Sequence, residues 1–238
     1  MREINRQVVI FGNFKSIGFN ILPKINNLIS EYNLNVTAMP DYIQAQSING
    51  IVPINQIQNF LPQIVTSTQM MPLLVNSKKD FSIFIGSNRI HVEQNDSTTE
   101  AYEEFLDSAI KIIATILKES KVTKINRLAV NGKLIIEDQK KINENFETIF
   151  KQSNLYDSSS DEYSFRVTTK EYSETLRSTV NKIIAFDRAS EITNNSETKP
   201  IILISYDYNT IQNNNAEFEI SDLSKLIKLA KEYKNQID

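Results

Sequence analysis

The sequence predicts an α+β protein: a curved antiparallel sheet carrying its helices on one face. Three observations point there. A long amphipathic helix runs directly into a strand between Ser97 and Ile136. Two strong turn signals separate alternating apolar runs between Leu73 and Glu93, the pattern of an antiparallel meander. And the order strand, helix, three or four strands, long helix occurs twice, predicting two pseudo-repeats, residues 1–120 and 121–238, joined as one compact unit.

Taken in order, Arg6 to Phe14 reads as a strand through Val8, Val9, Ile10 and Phe11. Phe19 to Tyr32 reads as a helix with Phe19, Leu22, Ile25, Leu28, Ile29 and Tyr32 on one face. Pro23 falls in its first turn, where a missing amide costs least, and Asn33 closes it. Leu34 to Ile48 is expected to be extended. Pro40, Pro53 and Pro62 argue against central strands in this region. Gln63 to Val75 is extended again, followed by strands at Phe81–Ile85 and Arg89–Glu93 with turns at Asn76–Asp80 and Gly86–Asn88.

The long helix opens with Ser97-Thr98-Thr99-Glu100, a capping box in which Ser97 and Glu100 satisfy each other's backbone amides. Tyr102, Phe105, Leu106, Ala109, Ile110, Ile113, Ile116 and Leu117 recur at three and four residues, one helical face. A strand from Val122 to Ile136 follows. Asn131-Gly132 interrupts it, a signal for either a hairpin turn or a bulge. A helix is expected over Lys140–Gln152, then a polar loop. Strands are expected near Tyr163–Thr169, Arg177–Phe186 and Pro200–Tyr208. The last helix starts at Ser221 as its cap.

Composition sets limits on function. The 238 residues contain no cysteine, five glycines and six prolines. Thiolate chemistry and disulfides are excluded, and a glycine-rich phosphate loop is disfavoured. No apolar run reaches the ~20 residues that span a bilayer, and the first residues lack a signal-peptide core. A cytoplasmic protein without membrane contact is expected. The richness in Asn, Ile and Lys predicts an AT-rich genome, that of a low-GC bacterium or its phage.

The net charge of −3 is not that of a typical nucleic-acid binder. The charge is uneven, however. Residues 111–151 hold nine basic and five acidic side chains, whereas both flanking regions are net acidic. Within this basic segment Lys118, Lys121, Lys124, Arg127 and Lys133 form the candidate binding set, for phosphate or an acidic partner. Strand aromatics at Phe81, Phe84, Tyr163, Phe165 and Tyr206 suit core packing, or base stacking on a sheet face.

Catalysis is not expected. His91 is the only histidine and cysteine is absent, which speaks against a zinc site of the usual kind; a triad would have to use His91, and no serine sits in a Gly-x-Ser-x-Gly elbow. By strand alternation His91 lies opposite Ile90 and Val92, on the sheet surface. The carboxylate pairs Glu103-Glu104, Glu137-Asp138 and Asp161-Glu162 fall at helix starts or in loops, where acidic residues are solvated. No cofactor and no metal are called for.

From Leu73 to Asn131 the chain resembles a sporadically distributed family of uncharacterised bacterial proteins. The residues that carry this are Asn88-Arg89-Ile90-His91-Val92, then Tyr102-Glu103-Glu104-Phe105 opening the helix. The strand Thr123-Lys124-Ile125-Asn126-Arg127-Leu128-Ala129-Val130-Asn131 follows, against a family pattern near Thr-Arg-Ile-Gly-Leu-Arg-Tyr-Ile-Asn. Leu128 and Ala129 stand where that pattern has Arg and Tyr. The resemblance implies an architecture and no reaction. The element order in turn is similar to the duplicated TATA-box-binding-protein arrangement and to helix-grip folds. The expectation is therefore a non-catalytic protein that engages a macromolecular partner, most simply a protein, through a sheet face or edge. Two rivals are a nucleic-acid-binding saddle using residues 111–141 and a small-ligand pocket under the long helix.

Overall fold

The computed structural model describes residues 1–41, 69–76, 81–95, 102–138, 140, 144, 163–192, 198–211 and 217–237. The capping box at Ser97, the segment around Pro53 and Pro62, and nearly all of the expected helix 140–152 lie outside these residues. Within them, nine strands form one antiparallel sheet: β1 (Arg2–Gly12), β2 (Asn35–Pro40), β3 (Met70–Asn76), β4 (Phe81–Ile85), β5 (Arg89–Asn95), β6 (Ile125–Ile136), β7 (Tyr163–Ser173), β8 (Ser178–Ile192) and β9 (Thr198–Thr210). Their order across the sheet is β2-β3-β4-β5-β1-β6-β9-β8-β7. The helices are α1 (Asn26–Glu31), α2 (Tyr102–Ser120) and α3 (Ile220–Asn235). The α+β class with an antiparallel sheet is thus what the alternating apolar runs announced.

The expected first helix is two pieces. Gly18–Ile25 winds as a 3₁₀ helix containing Pro23, and only Asn26–Glu31 is α-helical. An α-turn would drive the Pro23 ring into the carbonyl four residues back, and the tighter winding avoids that clash. Asn33 closes α1 in the left-handed region, at φ 50°. Its amide bonds to the Ser30 carbonyl, and that of Leu34 to Ile29. In α2 the side chains of Phe105, Ala109, Ile112, Ile113 and Ile116 are fully buried. Ile112 thus belongs to the buried face, and Ile110 is only partly buried at its margin. α3 is capped by Glu219 rather than Ser221, with Asp222 reaching back to the Glu219 amide at 3.0 Å.

One apolar cluster joins α2, α3 and the 3₁₀ segment to alternate strand positions: Val8 and Ile10 on β1, Ile90 and Val92 on β5, Leu128 and Val130 on β6. The intervening positions, Gln7, Val9 and Phe11 with their neighbours, point to the other face, because strand side chains alternate. A bulge at Asn126, where Phe11 pairs with Arg127 but Gly12 with Ile125, re-aims the strand. It puts Ile125 in the core and leaves Arg127 on the opposite face.

Asn131-Gly132 makes neither a hairpin nor a bulge of its own: β6 runs through it unbroken. The irregularity lies on the partner strand, where Ile4 is skipped between Glu3 and Asn5. Gly132 is required by a close approach instead. A Cβ there would lie 2.5 Å from the Tyr206 hydroxyl oxygen and 2.6 Å from the Asn5 carbonyl oxygen. Arg6 and Tyr206 both pair with Gly132, so a buried polar row crosses the sheet at this level. Arg6, 2% exposed, donates through Nε and Nη2 to Gln94 Oε1 at 2.9 and 2.5 Å and lies over the Phe105 ring at 5.0 Å. Tyr206 donates to Glu3 Oε1 at 2.8 Å, and burial holds its phenol well above the ordinary value. An ionised side chain persists in a core only when hydrogen-bonded in this way.

Gly132→Ala is therefore expected to lower unfolding stability by about 1–3 kcal/mol, the usual cost of overpacking, because one of the two obstructing atoms is backbone. Denaturant melts of the purified variant check this, and an unchanged midpoint would show that the strand yields.

Candidate functional site

The face away from the apolar cluster is polar at its centre. Strand register assembles it row by row across β5, β1, β6 and β9. The first row is Arg89, Phe11 and Arg127; the next is His91, Val9, Ala129 and Asn209; the third is Glu93, Gln7, Asn131 and Asp207. A cavity of about 510 Å³ runs along these rows. A second, of about 310 Å³, shares Gln7, Glu93, Asn131 and Asp207 with it and continues to Lys133, Ser205 and Arg166. Volumes of this size are those of small-molecule sites.

The groups along this groove are unusual. Burial pushes the His91 imidazole down to about 4, assisted by the Arg89 guanidinium and opposed by Glu93. Its ring packs on Phe84 at 5.3 Å. His91 is thus on the expected face but is not a solvated surface residue. Burial raises the Asp207 carboxyl from its ordinary range, against the pull of Asn209, Arg127 and Arg166. Glu93 accepts a hydrogen bond from Asn5 Nδ2 at 2.7 Å. Asn181 donates to Asn209 Oδ1 at 3.0 Å. Arg89 Nε, Arg127 Nε and Asp207 Oδ1 are buried and have no hydrogen-bond partner. Orphans of this kind are rare in folded proteins and call for an explanation.

The five cations expected to form one binding set are split between two places. Lys118, Lys121 and Lys124 line a cleft of about 750 Å³ where the end of α2 meets Phe218 and Ile220. Lys124 there pairs with Glu217 at 2.7 Å. Lys121, at φ 58°, ends the helix. Arg127 and Lys133 belong to the polar groove instead. Sequence contiguity suggested one patch, but the strand carries these two to the opposite face.

The other candidates resolve simply. Glu103 is exposed and paired with Lys231, which lowers its pKa. Glu137 pairs with Arg2 at 2.9 Å. Asp161-Glu162 lies outside the described residues. Phe81, Phe84 and Tyr206 are buried and offer no stacking platform. Among the described residues no group of three or more His, Asp or Glu side chains is placed to hold a metal. No described helix is long and apolar enough to cross a membrane. Gln7, Arg89, Asn131 and Asp207 were missed as site residues. The legible signal was alternation on β5 and β9, where Arg89, His91 and Glu93, and Ser205, Asp207 and Asn209, interleave with apolar or aromatic residues. No protein-family model and no curated protein matches this chain.

The depressed His91 pKa predicts an acid dependence of stability. Between about pH 6.5 and pH 4 the folded state binds fewer protons at His91 than the unfolded state, so stability falls as pH is lowered through that window. The contribution is up to about 3 kcal/mol. Asp207, with its raised pKa, acts in the opposite sense and offsets part of it. His91→Gln should flatten the curve of melting temperature against pH between 6.5 and 4. An unchanged slope would mean that His91 titrates normally.

Proposed function

We propose that this chain is a binding protein that does no chemistry of its own, and that its working surface is the polar groove on the sheet face away from the helices. The observation that carries this is the set of buried, unpartnered polar atoms of Arg89, Arg127 and Asp207 along that groove. A polar ligand would meet the accessible ends of these same side chains, which line the groove, at little reorganisation cost, because the strands already fix them. Binding is favoured over catalysis because an imidazole held near 4 is a weak base at neutral pH. The occupant is a small polar molecule. The space between α2 and the sheet is filled by Phe105, Ala109, Ile113 and Ile116, which argues against a pocket under the helix. A macromolecular partner is the second reading. It is favoured by Val36 and Met70, 44% and 46% exposed, on and beside the outer strand β2.

The architecture is read as two pseudo-repeats with all helices on one side, similar to the duplicated saddle arrangement. In support, β1 pairs with β5, the last strand before α2, and β6 with β9, the last before α3. β1 and β6 then meet antiparallel at the seam.

Two experiments test these readings. Protein isolated from its native host and analysed by native mass spectrometry should retain a small polar ligand. Asn131→Trp, which fills the groove at a half-buried strand position, should not. Retention by both proteins, or by neither, would overturn the assignment. For the architecture, residues 1–120 and 121–238 made separately should be insoluble or molten, since each exposes a full strand edge at the seam. Two folded, monomeric halves would instead define independent domains.

A further inference from the structure

Arg89 and Arg127 occupy one register row on either side of Phe11, on strands β5 and β6 with β1 between them. Neighbouring strands lie about 4.8 Å apart, so the two backbones are roughly 10 Å apart and both side chains rise from the same face. Each guanidinium lies over an aromatic ring: Arg127 Cζ is 4.8 Å from the Phe11 centroid and Arg89 Cζ 5.5 Å from that of Phe84. Both residues line the groove, and a guanidinium beside an aromatic ring keeps its hydrogen-bonding edge free for a ligand. Neither has an ion-pair partner among the described residues, and the Nε of each is buried without an acceptor.

Their situation differs from that of the buried cation. Arg6 is nearly fully buried and Gln94 accepts from it on two nitrogens, whereas Arg89 and Arg127 are half-buried on the groove face. The sequence therefore supplies an acceptor to the guanidinium that serves the core, and none to the Nε of Arg89 or Arg127. Planar forks held over aromatic rings, with no acceptor at Nε, match the oxygens of a phosphate group. Two rows further along, beyond His91, Val9 and Ala129, the lining changes to the amides of Gln7 and Asn131 and the carboxylates of Glu93 and Asp207. Those groups suit hydroxyls and ring nitrogens. They also repel a second phosphate, so an extended phosphodiester chain fits the groove poorly.

We propose that Arg89 and Arg127 form a phosphate-binding site, and that the groove takes a small phosphorylated molecule of nucleotide or sugar-phosphate size, its anionic end between the two guanidiniums. This rests on the reading of the groove as a ligand site. The probes are inorganic phosphate, a ribonucleoside 5′-monophosphate and a single-stranded oligonucleotide, titrated by calorimetry. His91, the only histidine, lies two residues from Arg89 on the same face and serves as a built-in reporter by NMR.

The expected result is binding of the monophosphate more tightly than inorganic phosphate, weakened at least about tenfold in Arg127→Gln, and abolished in the Arg89→Gln/Arg127→Gln double variant. Bound phosphate should also raise the His91 pKa from about 4, because it offsets the charge of Arg89. This second readout uses the unaltered chain and stands even if the double variant fails to fold. Binding unaffected by Arg127→Gln, or an unmoved His91, would overturn the assignment. So would the absence of binding by either phosphate at about 10 mM, a Kd too weak to contribute more than about 3 kcal/mol. Tight oligonucleotide binding with a salt slope of several phosphates, near −0.7 for each, would replace the small ligand with a nucleic-acid strand. The two proposals fail separately. A host ligand without phosphate, lost in Asn131→Trp, would leave the groove a binding site and remove only the phosphate assignment.

Discussion

The pairing of β1 with β6 governs where every other part of the molecule sits. Each strand is flanked on its other side by a strand of its own half, β5 or β9, so the central ladder is where the two halves share backbone hydrogen bonds. Its register runs from Arg2 opposite Ile135 to Gly12 opposite Ile125, with one irregularity near each end. A slip of one residue would exchange the two faces of the sheet. Either Val8 and Ile10 or Leu128 and Val130 would leave the core, and Gln7 or Asn131 would enter it. The row of Gln94, Arg6, Gly132 and Tyr206 opposes any slip. Only Gly132 leaves room for the Tyr206 ring, whose hydroxyl reaches across β6 to Glu3 on β1, while Arg6 ties β1 to Gln94 on β5.

The same ladder builds the groove. Its polar residues come from four strands, and their adjacency is a product of register alone. The groove consequently lies at the centre of the sheet, on strands paired along both edges, the kind of support a preorganised site requires. What the sheet gives to one face it withholds from the other, since core and groove are alternate residues of the same strands.

Elements dictated by local physics were legible in the sequence. The α2 stripe, the turn at Gly86-Ser87-Asn88 and the closure of α1 by Asn33 all follow from neighbours within four residues. Features set by distant partners were not. Asn131-Gly132 has the local signature of a turn, and only Tyr206 and Asn5 explain why glycine stands there. Lys118 to Lys133 is one basic run along the chain, but the end of α2 and the bulge at Asn126 divide it between two surfaces. The groove was hidden for the same reason: Arg89 and Arg127 are 38 residues apart in the sequence and neighbours only across β1. His91 shows the limit from the other side. Alternation placed it on the right face, but its burial depends on Phe84 and Arg89 packing around it.

The strand order also bears on how the chain is made. β1 ends at Gly12 and its first partner, β5, begins at Arg89, close to 80 residues later. At synthesis rates of about 5–20 residues per second, β1 waits roughly 4–16 seconds with both edges unpaired. Its second partner, β6, emerges later still, after the whole of α2. Val8, Val9, Ile10 and Phe11 stay exposed through that interval, an apolar β-rich run of the kind that pairs with the wrong chain. Arg6 and Gln7 lie immediately before the run, and Arg6 carries a charge in the nascent chain where the folded protein buries it. The same guanidinium that ties β1 to β5 in the finished sheet is thus also placed to keep this strand apart from its neighbours until a partner arrives.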